Sequence, residues 1–486
     1  MSARHTRLLA SVAAALCLAP VAAHAQDPAA VQAAQDGYDR LGRGDAAGAA
    51  ASAQRAVGLA PDQLDYRLLW ADALLRADRP ADALSALQPV AATRDYPVQS
   101  RIAEAATRAG RPNDAATAFA ASSELAPDAT ARAYAARAQV QALLAAGRRD
   151  AAASALDAAW TTGAMPGDDP LNAAMIALSV GDDARALDAF AAADARAPLT
   201  GSAALNAGYA AKRTGRDADA VRWFRQGLST LPPSEDIGPQ RRHEVGREIE
   251  TLERRGGVNA SLEYGPASPV TTAGPGGADV LQAGAEAWRR LGGYNNGRPL
   301  DAFVRAYGTL DAPAGQATGG DSLQGWIGLR WKPLARTNLV LEASRMVALG
   351  DAARDDTMLR AAWSAEAGGD LRHDAGSWRS WRLYGDAARL IDAEQTLAVL
   401  EAQAGRTWRV GQRDLLTLGA GAGLWHDSTL SDPTSVRAGP RIGWRRWFNA
   451  RDGEAPASYV DFTLGYDFEL SGDRGGLRAR LAVVYE

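Results

Sequence analysis

The run Ser458–Leu470, SYVDFTLGYDFEL, separates cleanly at period two. One set is Val460, Phe462, Leu464, Tyr466, Phe468 and Leu470; the other is Tyr459, Asp461, Thr463, Gly465, Asp467 and Glu469. A strand built this way has one apolar and one polar face. Runs of the same kind succeed one another to the C-terminus, many with aromatics near their ends. That recurrence favours a membrane barrel over a soluble sandwich, with the apolar set toward lipid and the polar set toward the lumen.

The pattern is missing from the first half. Up to about residue 256 the chain is Ala-rich with few Gly and aromatics; beyond it Gly rises and ten of the thirteen Trp occur. This shift marks the main domain boundary. Arg4 and Arg7, the apolar run 8–18 and Ala23-His24-Ala25 have the three parts of a secretory signal, so residues 1–25 are expected to be removed and the mature chain to begin near Gln26. The single cysteine, Cys17, lies in that signal; Leu16, where a small residue is required, argues against lipoprotein attachment there. An exported chain without cysteine suits a Gram-negative envelope and leaves no disulfide or thiolate metal site. No apolar run of about 18 residues comes after the signal, so no transmembrane helix is expected. The net charge is −4 and the only lysines are Lys212 and Lys332, a balance that gives no reason to expect a nucleic-acid partner.

From Gln26 to Pro233 the chain repeats. A turn residue is followed by Ala five positions on, often by Phe or Leu four further, and often by Pro near the repeat end. The sets are Gly44, Ala49, Pro61; Asp78, Ala83, Leu87; Gly110, Ala115, Phe119, Pro127; Gly147, Ala152, Leu156; Gly181, Ala186, Phe190, Pro198; and Gly215, Ala220, Phe224, Pro232. The turn residues are 34, 32, 37, 34 and 34 apart, the period of tetratricopeptide-type helical hairpins. Small Ala lets the paired helices approach, the Phe or Leu fills the gap to the next repeat, and Pro stops the second helix. Residues 26–233 are thus expected to form an all-α solenoid of about six repeats, with a concave face of the kind that binds proteins. It contains no His or Cys, which leaves little for catalysis. Residues 234–257 read as a linker around one charged helix, 240–255, with Val245, Ile249 and Leu252 on one side and His243 on a solvated face.

Residues 258–486 then read as an antiparallel transmembrane β-barrel of about twelve strands, near 258–264, 282–291, 301–310, 323–331, 338–347, 358–367, 378–390, 397–410, 415–425, 436–448, 458–470 and 477–485. An even count returns both ends to one side. Long Gly- and Pro-rich connections such as 266–277 and 312–321 alternate imperfectly with tight ones such as 411–414. The whole is a multidomain α + β chain.

The polar set assigns to the lumen Glu286, Arg290, Arg305, Arg330, Glu342, Arg360, Glu366, Arg382, Asp386, Glu401, Gln403, Arg437, Arg441, Arg445, Asp461, Asp467, Glu469, Arg478 and Arg480. On the lipid side each would cost about 2–4 kcal/mol at mid-bilayer. Two readings stay open: opposite charges pair and fill a narrow barrel, or they line a wet passage for a polar polymer. Arg330, Arg360, Arg382, Tyr384, Glu401, Arg441, Arg445, Asp461 and Asp467 are the candidate lining residues, with Tyr384, Trp288 and Trp326 offering ring faces for sugars. Trp363, Trp381, Trp408 and Trp444 fall on the apolar set as girdle or lipid-facing residues. His426-Asp427-Ser428 contains triad chemistry, but residues adjacent in sequence rarely converge on one point; a turn explains them better, as it does His373. No metal-ligand spacing or phosphate loop appears, so neither cofactor nor metal is expected.

Two stretches, GPRIGWRRWF at 439–448 and PASYVDFTLGYDFELSGDRGGL at 456–477, with GGYNNGRPLDAFVRAYGTLD at 292–311, resemble the C-terminal domain of the NfrA-like bacteriophage adsorption protein A family over roughly the last 230 residues. That resemblance implies an outer-membrane barrel preceded by periplasmic repeats. It also implies work with an inner-membrane glycosyltransferase in secreting an exopolysaccharide, and in some bacteria use as a phage receptor; the expected partners are periplasmic or inner-membrane polysaccharide synthase and secretion proteins, the polysaccharide, outer-membrane lipids and a phage adsorption protein. It supplies no catalytic residue. Six repeats are few for the family, and Glu486 stands where a barrel insertion signal has an aromatic. Three functions stay open for such a chain: a non-enzymatic exporter, a closed barrel anchoring an interaction scaffold, and a barrel hydrolase.

Overall fold

The computed structural model describes residues 27–486 apart from 168, 267–278, 451–453 and 473–474. The signal-peptide expectation for 1–25 and nearly all of the connection 266–277 lie outside the described residues. The chain divides into two compact units, Met1–Asp168 and Asp169–Glu486. The cut falls inside the repeats, so the last two hairpins are grouped with the strand-rich half of the chain, to which the final hairpin is bonded through Asp217 to Tyr294 and Arg225 to Glu454.

The first unit holds four helical hairpins: α1 (Pro28–Gly42) with α2 (Ala46–Leu59), α3 (Leu64–Arg76) with α4 (Pro80–Leu87), α5 (Tyr96–Arg108) with α6 (Pro112–Leu125), and α7 (Ala129–Ala145) with α8 (Arg149–Thr161). The second opens with two more, α9 (Pro170–Val180) with α10 (Asp183–Arg196) and α11 (Gly201–Arg213) with α12 (Asp217–Ser229), then α13 (Gly238–Glu253). Each hairpin reverses at its periodic turn residue, and all six have positive φ, from 55° at Asp78 to 96° at Gly181, the region that Gly enters without a Cβ penalty. The Ala five residues on is 0–1% exposed in every repeat, and Phe190 and Phe224 are fully buried. Asp45, Asp128, Asp169 and Asp182 cap their helices by accepting from the backbone N–H three residues on. No helix among the described residues is long and apolar enough to cross a membrane.

Twelve antiparallel strands close on themselves: β1 (Gly256–Pro266), β2 (Asp279–Arg290), β3 (Leu300–Asp311), β4 (Gln324–Trp331), β5 (Asn338–Ala348), β6 (Asp356–Ala367), β7 (Ser377–Leu390), β8 (Gln395–Arg409), β9 (Asp414–Asp427), β10 (Thr434–Phe448), β11 (Ser458–Ser471) and β12 (Gly476–Tyr485), with β12 pairing β1. Pairing follows sequence order, so no strand edge is left open. Register fixes the two faces. Val304, Ile327, Leu359, Leu400, Phe462 and Leu470 are outward and exposed, a surface stable only against lipid. The outward arginines sit near strand ends, Arg289, Arg379, Arg406 and Arg446 toward the α13 end and Arg345 and Arg389 toward the other, where long side chains reach the membrane–water boundary.

Candidate functional site: the barrel lumen and its mouth

Register turns the polar set inward. Glu286 faces Arg305 across β2 and β3, Arg330 faces Glu342, Glu342 faces Arg360, Arg382 lies between Glu366 and Gln403, and Arg445 faces Asp461. Two arcs of the wall differ. On β2–β7 the lumen is packed. Trp288, Phe303, Trp326, Met346, Met358 and Leu390 form one buried cluster, flanked by an ion-pair network. In it Arg305 donates to Glu286 at 2.7 and 2.8 Å and to Glu342 at 3.3 Å, Arg330 reaches Glu286 at 2.6 Å and Asp301 at 3.5 Å, and Arg360 pairs with Asp386. Trp288 and Trp326, expected to offer ring faces to sugars, are each 8% exposed. Their neighbours at the same level, Phe303 and Met346, are also bulky and inward, so the rings meet one another instead of a passage.

On β7–β12 the lumen opens into a cavity of ≈ 440 Å³. Its polar lining includes Glu401, Gln403, Thr407, Arg441, Asp461 and Arg478. Five inward glycines on this arc, Gly405, Gly419, Gly421, Gly443 and Gly465, put no side chain into it, and at Gly405, Gly419 and Gly465 a Cβ would also lie 2.2–2.7 Å from a backbone oxygen of the neighbouring strand. Charges here are paired too. Arg441 bonds Asp467, Arg478 reaches Asp467 at 3.1 Å and Glu401 at 3.8 Å, and Arg445 donates to Asp461 at 2.8 Å. The Tyr384 hydroxyl accepts from Arg360 at 3.0 Å and donates to Asp386. Arg382, exposed on the cavity wall over the Tyr384 ring, makes no ion pair among the described residues. The glycines were missed in the sequence, although Gly419, Gly421 and Gly423 at period two in GAGAG on β9 carry that signal.

The mouth at the N-terminal side is crossed by α13. Near its start, Gln240 accepts from the His373 N–H at 2.7 Å in the β6–β7 turn; at its end it runs into β1, and Arg254 pairs with Glu486 beyond β12 at 2.8 Å. In a twelve-strand ring those points are six strands apart, so the helix lies along a diameter. The lengths agree. Strands about 4.8 Å apart and tilted about 40° close a ring about 24 Å across, and the 16 residues of α13 span about 24 Å at 1.5 Å each. Between the two ends Arg247 grips Asp370 with two bonds of 3.0 Å, donates to the Pro456 carbonyl at 2.7 Å and lies 4.7 Å from the Trp447 ring centroid. A Cβ on Gly246 would sit 2.8 Å from the Ala455 nitrogen, so only Gly allows that approach. Inside the lumen Arg290 donates to the Thr251 and Arg254 carbonyls, capping the helix end. His243, expected on a solvated face, has a side chain only 8% exposed, its Nε2 3.5 Å from Asp370 Oδ2 and its ring 4.9 Å from that of His373; the wet face of α13 is the one the barrel turns cover. Burial pushes the Asp370 carboxyl up, but His243 and Arg247 outweigh it and hold it well below the usual carboxylate range.

His426 and Asp427 project to opposite faces of β9. His426 contacts Thr434, Asp427 accepts from Gln395 and Thr429, and the Ser428 hydroxyl accepts from the Thr396 N–H. They are strand-end and turn contacts, not a triad. Among the described residues no group of three or more His, Cys, Asp or Glu is placed to hold a metal.

A closed twelve-strand barrel with a charged lumen and a helical hairpin array before it is consistent with an outer-membrane protein that carries interaction repeats. Residues 315–480 match the family model of the bacteriophage N adsorption protein A C-terminal region. The adsorption protein A-like segment runs from just before β4 into β12; the stretch at 292–311 lies outside it. No curated protein matches the chain. Similar solved structures include a tetratricopeptide repeat protein from Parabacteroides merdae ATCC 43184, at 14% identity over 43% of this chain and 82% of that one, TM-score 0.33. PilF of Pseudomonas aeruginosa is similar at 15% identity over 43% and 94%, TM-score 0.32. YrrB, described as a tetratricopeptide repeat protein with an unusual peptide-binding site, is similar at 14% over 37% and 93%, TM-score 0.32.

Proposed function

We propose that this protein is the outer-membrane component of an exopolysaccharide secretion system. Its repeats, on the periplasmic side, recruit the periplasmic or inner-membrane synthase and secretion proteins, and the adsorption protein A-like barrel lets the polysaccharide out. The observation that carries the reading is the β7–β12 arc, where glycines keep the lumen open and hydroxyls, amides and paired charges line it. Such a wall exchanges hydrogen bonds with a neutral or zwitterionic polymer as water does. The strong net field of an ion-selective pore is missing, because arginines and carboxylates pair across the wall. The role is non-enzymatic. Use as a phage receptor belongs to the same reading and would rest on the connections at the end away from α13. Deleting the gene is expected to lower extracellular polysaccharide or to change its sugar composition; unchanged amount and composition would sink the export role.

A second reading, a closed barrel that anchors an interaction scaffold, is favoured by α13 across the mouth. It expects no conductance in planar bilayers even from a chain whose α13 has been displaced. The hydrolase reading expects His426→Ala to abolish an esterase activity of the purified protein; a protein with no such activity removes it.

A further inference from the structure

The two faces of α13 hold it to different bodies by different physics. Val245, Ile249 and Leu252, 0–1% exposed, lie on one side. The residues flanking that side bind the last hairpin: Glu248 pairs with Lys212, Arg241 stands over the Tyr209 ring, and Glu253 accepts from Arg225 at 2.8 Å. The opposite side carries Gln240, His243, Gly246, Arg247, Thr251 and Arg254 and meets the barrel turns. It offers them no apolar side chain, only ion pairs, hydrogen bonds and close backbone approach. Water can replace such contacts at little net cost, whereas pulling α13 from α11 and α12 exposes apolar surface.

We propose that α13 is a gate over the barrel mouth that moves with the hairpins α9–α12, latched to the barrel chiefly by Arg247 on Asp370. The inference rests on the export reading for its purpose and on these contacts for its geometry. Its hinge is Arg254-Arg255 ahead of β1, and α12 sets further ties on the same rim. Asp217 accepts from the Tyr294 N–H at 2.6 Å in the β2–β3 turn, and Arg225 pairs with Glu454 in the β10–β11 turn. A partner that draws the repeats away from the rim therefore draws α13 with them and exposes the cavity. Asp370 sits at the centre of the latch: His243 faces it from α13 beside Arg247, and the His373 ring stands against His243 from the same turn.

The test is single-channel conductance of the full chain in planar bilayers, on protein whose heat-modifiable migration shows a folded barrel. The unaltered chain should be closed most of the time. Arg247→Glu and Asp370→Arg should each raise the open fraction at least tenfold, and the double variant, which restores an opposite pair, should bring it back. His243→Glu, which sets a second carboxylate beside Asp370 and leaves Arg247 in place, should open the pore as well and serves if either single variant fails to fold. An unaltered chain already open, folded variants as closed as the parent, or a swapped pair as open as the singles would each overturn the gate. None of those results bears on whether deleting the gene alters extracellular polysaccharide, so the two proposals fail separately.

Discussion

Asp370 meets Arg247 and His243 across one interface, and the chemistry around it sets a pH dependence. Burial, then the neighbouring His243 and Arg409, lowers the pKa of His373 from its ordinary value; Asp370 and Asp374 pull the other way and are outweighed. A group depressed in the fold favours it above the unfolded pKa, about 6.5 for His, and loses that contribution as pH falls through the folded value. Asp370, also depressed, contributes in the same sense but is lost only in strong acid. Lowering the pH from 7 to 5 should therefore loosen α13 while the Asp370–Arg247 pair persists. Hydrogen exchange of the amides from Val245 to Thr251 should quicken several-fold over that range, and unchanged protection would contradict the assignment. A second residue-scale prediction concerns packing. A Cβ on Gly208 would lie 2.6 Å from the Phe224 ring, so Gly208→Ala should cost about 1–3 kcal/mol and lower the melting temperature of the helical signal. At Gly58, in α2, a Cβ meets nothing within 4 Å, and Gly58→Ala should stabilise by about 0.5–1 kcal/mol.

Among the elements, the packed and open arcs of the barrel make opposite predictions. Arg305→Ala would leave Glu286 and Glu342 short of their shared cation in the packed arc. It should destabilise the barrel by about 3–5 kcal/mol, read as a lower temperature for the heat-modifiable shift. Gly421→Leu fills space on the open arc, where a new side chain meets chiefly the movable Gln403 and Arg441. It should leave that temperature nearly unchanged while cutting the conductance of an Arg247→Glu chain several-fold. These elements were legible to different degrees. Hairpin turns stood out because a left-handed residue and a small Ala recur at fixed spacing, and strands because one face must be apolar where lipid meets it. The inward direction of residues such as Arg360 and Asp461 follows from the same alternation. What the alternation does not carry is which inward side chains meet across strands. The Trp288–Phe303–Trp326 cluster depends on register among three strands, and the burial of His243 depends on turns more than a hundred residues away covering a polar helix face. An amphipathic helix shows where its apolar side is and says nothing of a second, polar interface. The division at Asp168–Asp169 was hidden for a related reason, since every repeat has the same local pattern whichever body it packs with.

Taken as a whole, the chain sets a closed barrel with an apolar outer face after the repeats, and the barrel's mouth lies under α13, the helix that is tied to the last hairpin. The even strand count puts both barrel termini and α13 at one end; the export proposal makes that end the periplasmic one. The most direct measurement is heat-modifiable migration combined with protease accessibility in cells and in outer-membrane fractions. The expected result is a heat-shifting species in the outer-membrane fraction whose repeats are cut only after that membrane is opened. A protein recovered in the soluble periplasmic fraction without a heat shift, or repeats cut on intact cells, would contradict a membrane barrel with periplasmic repeats.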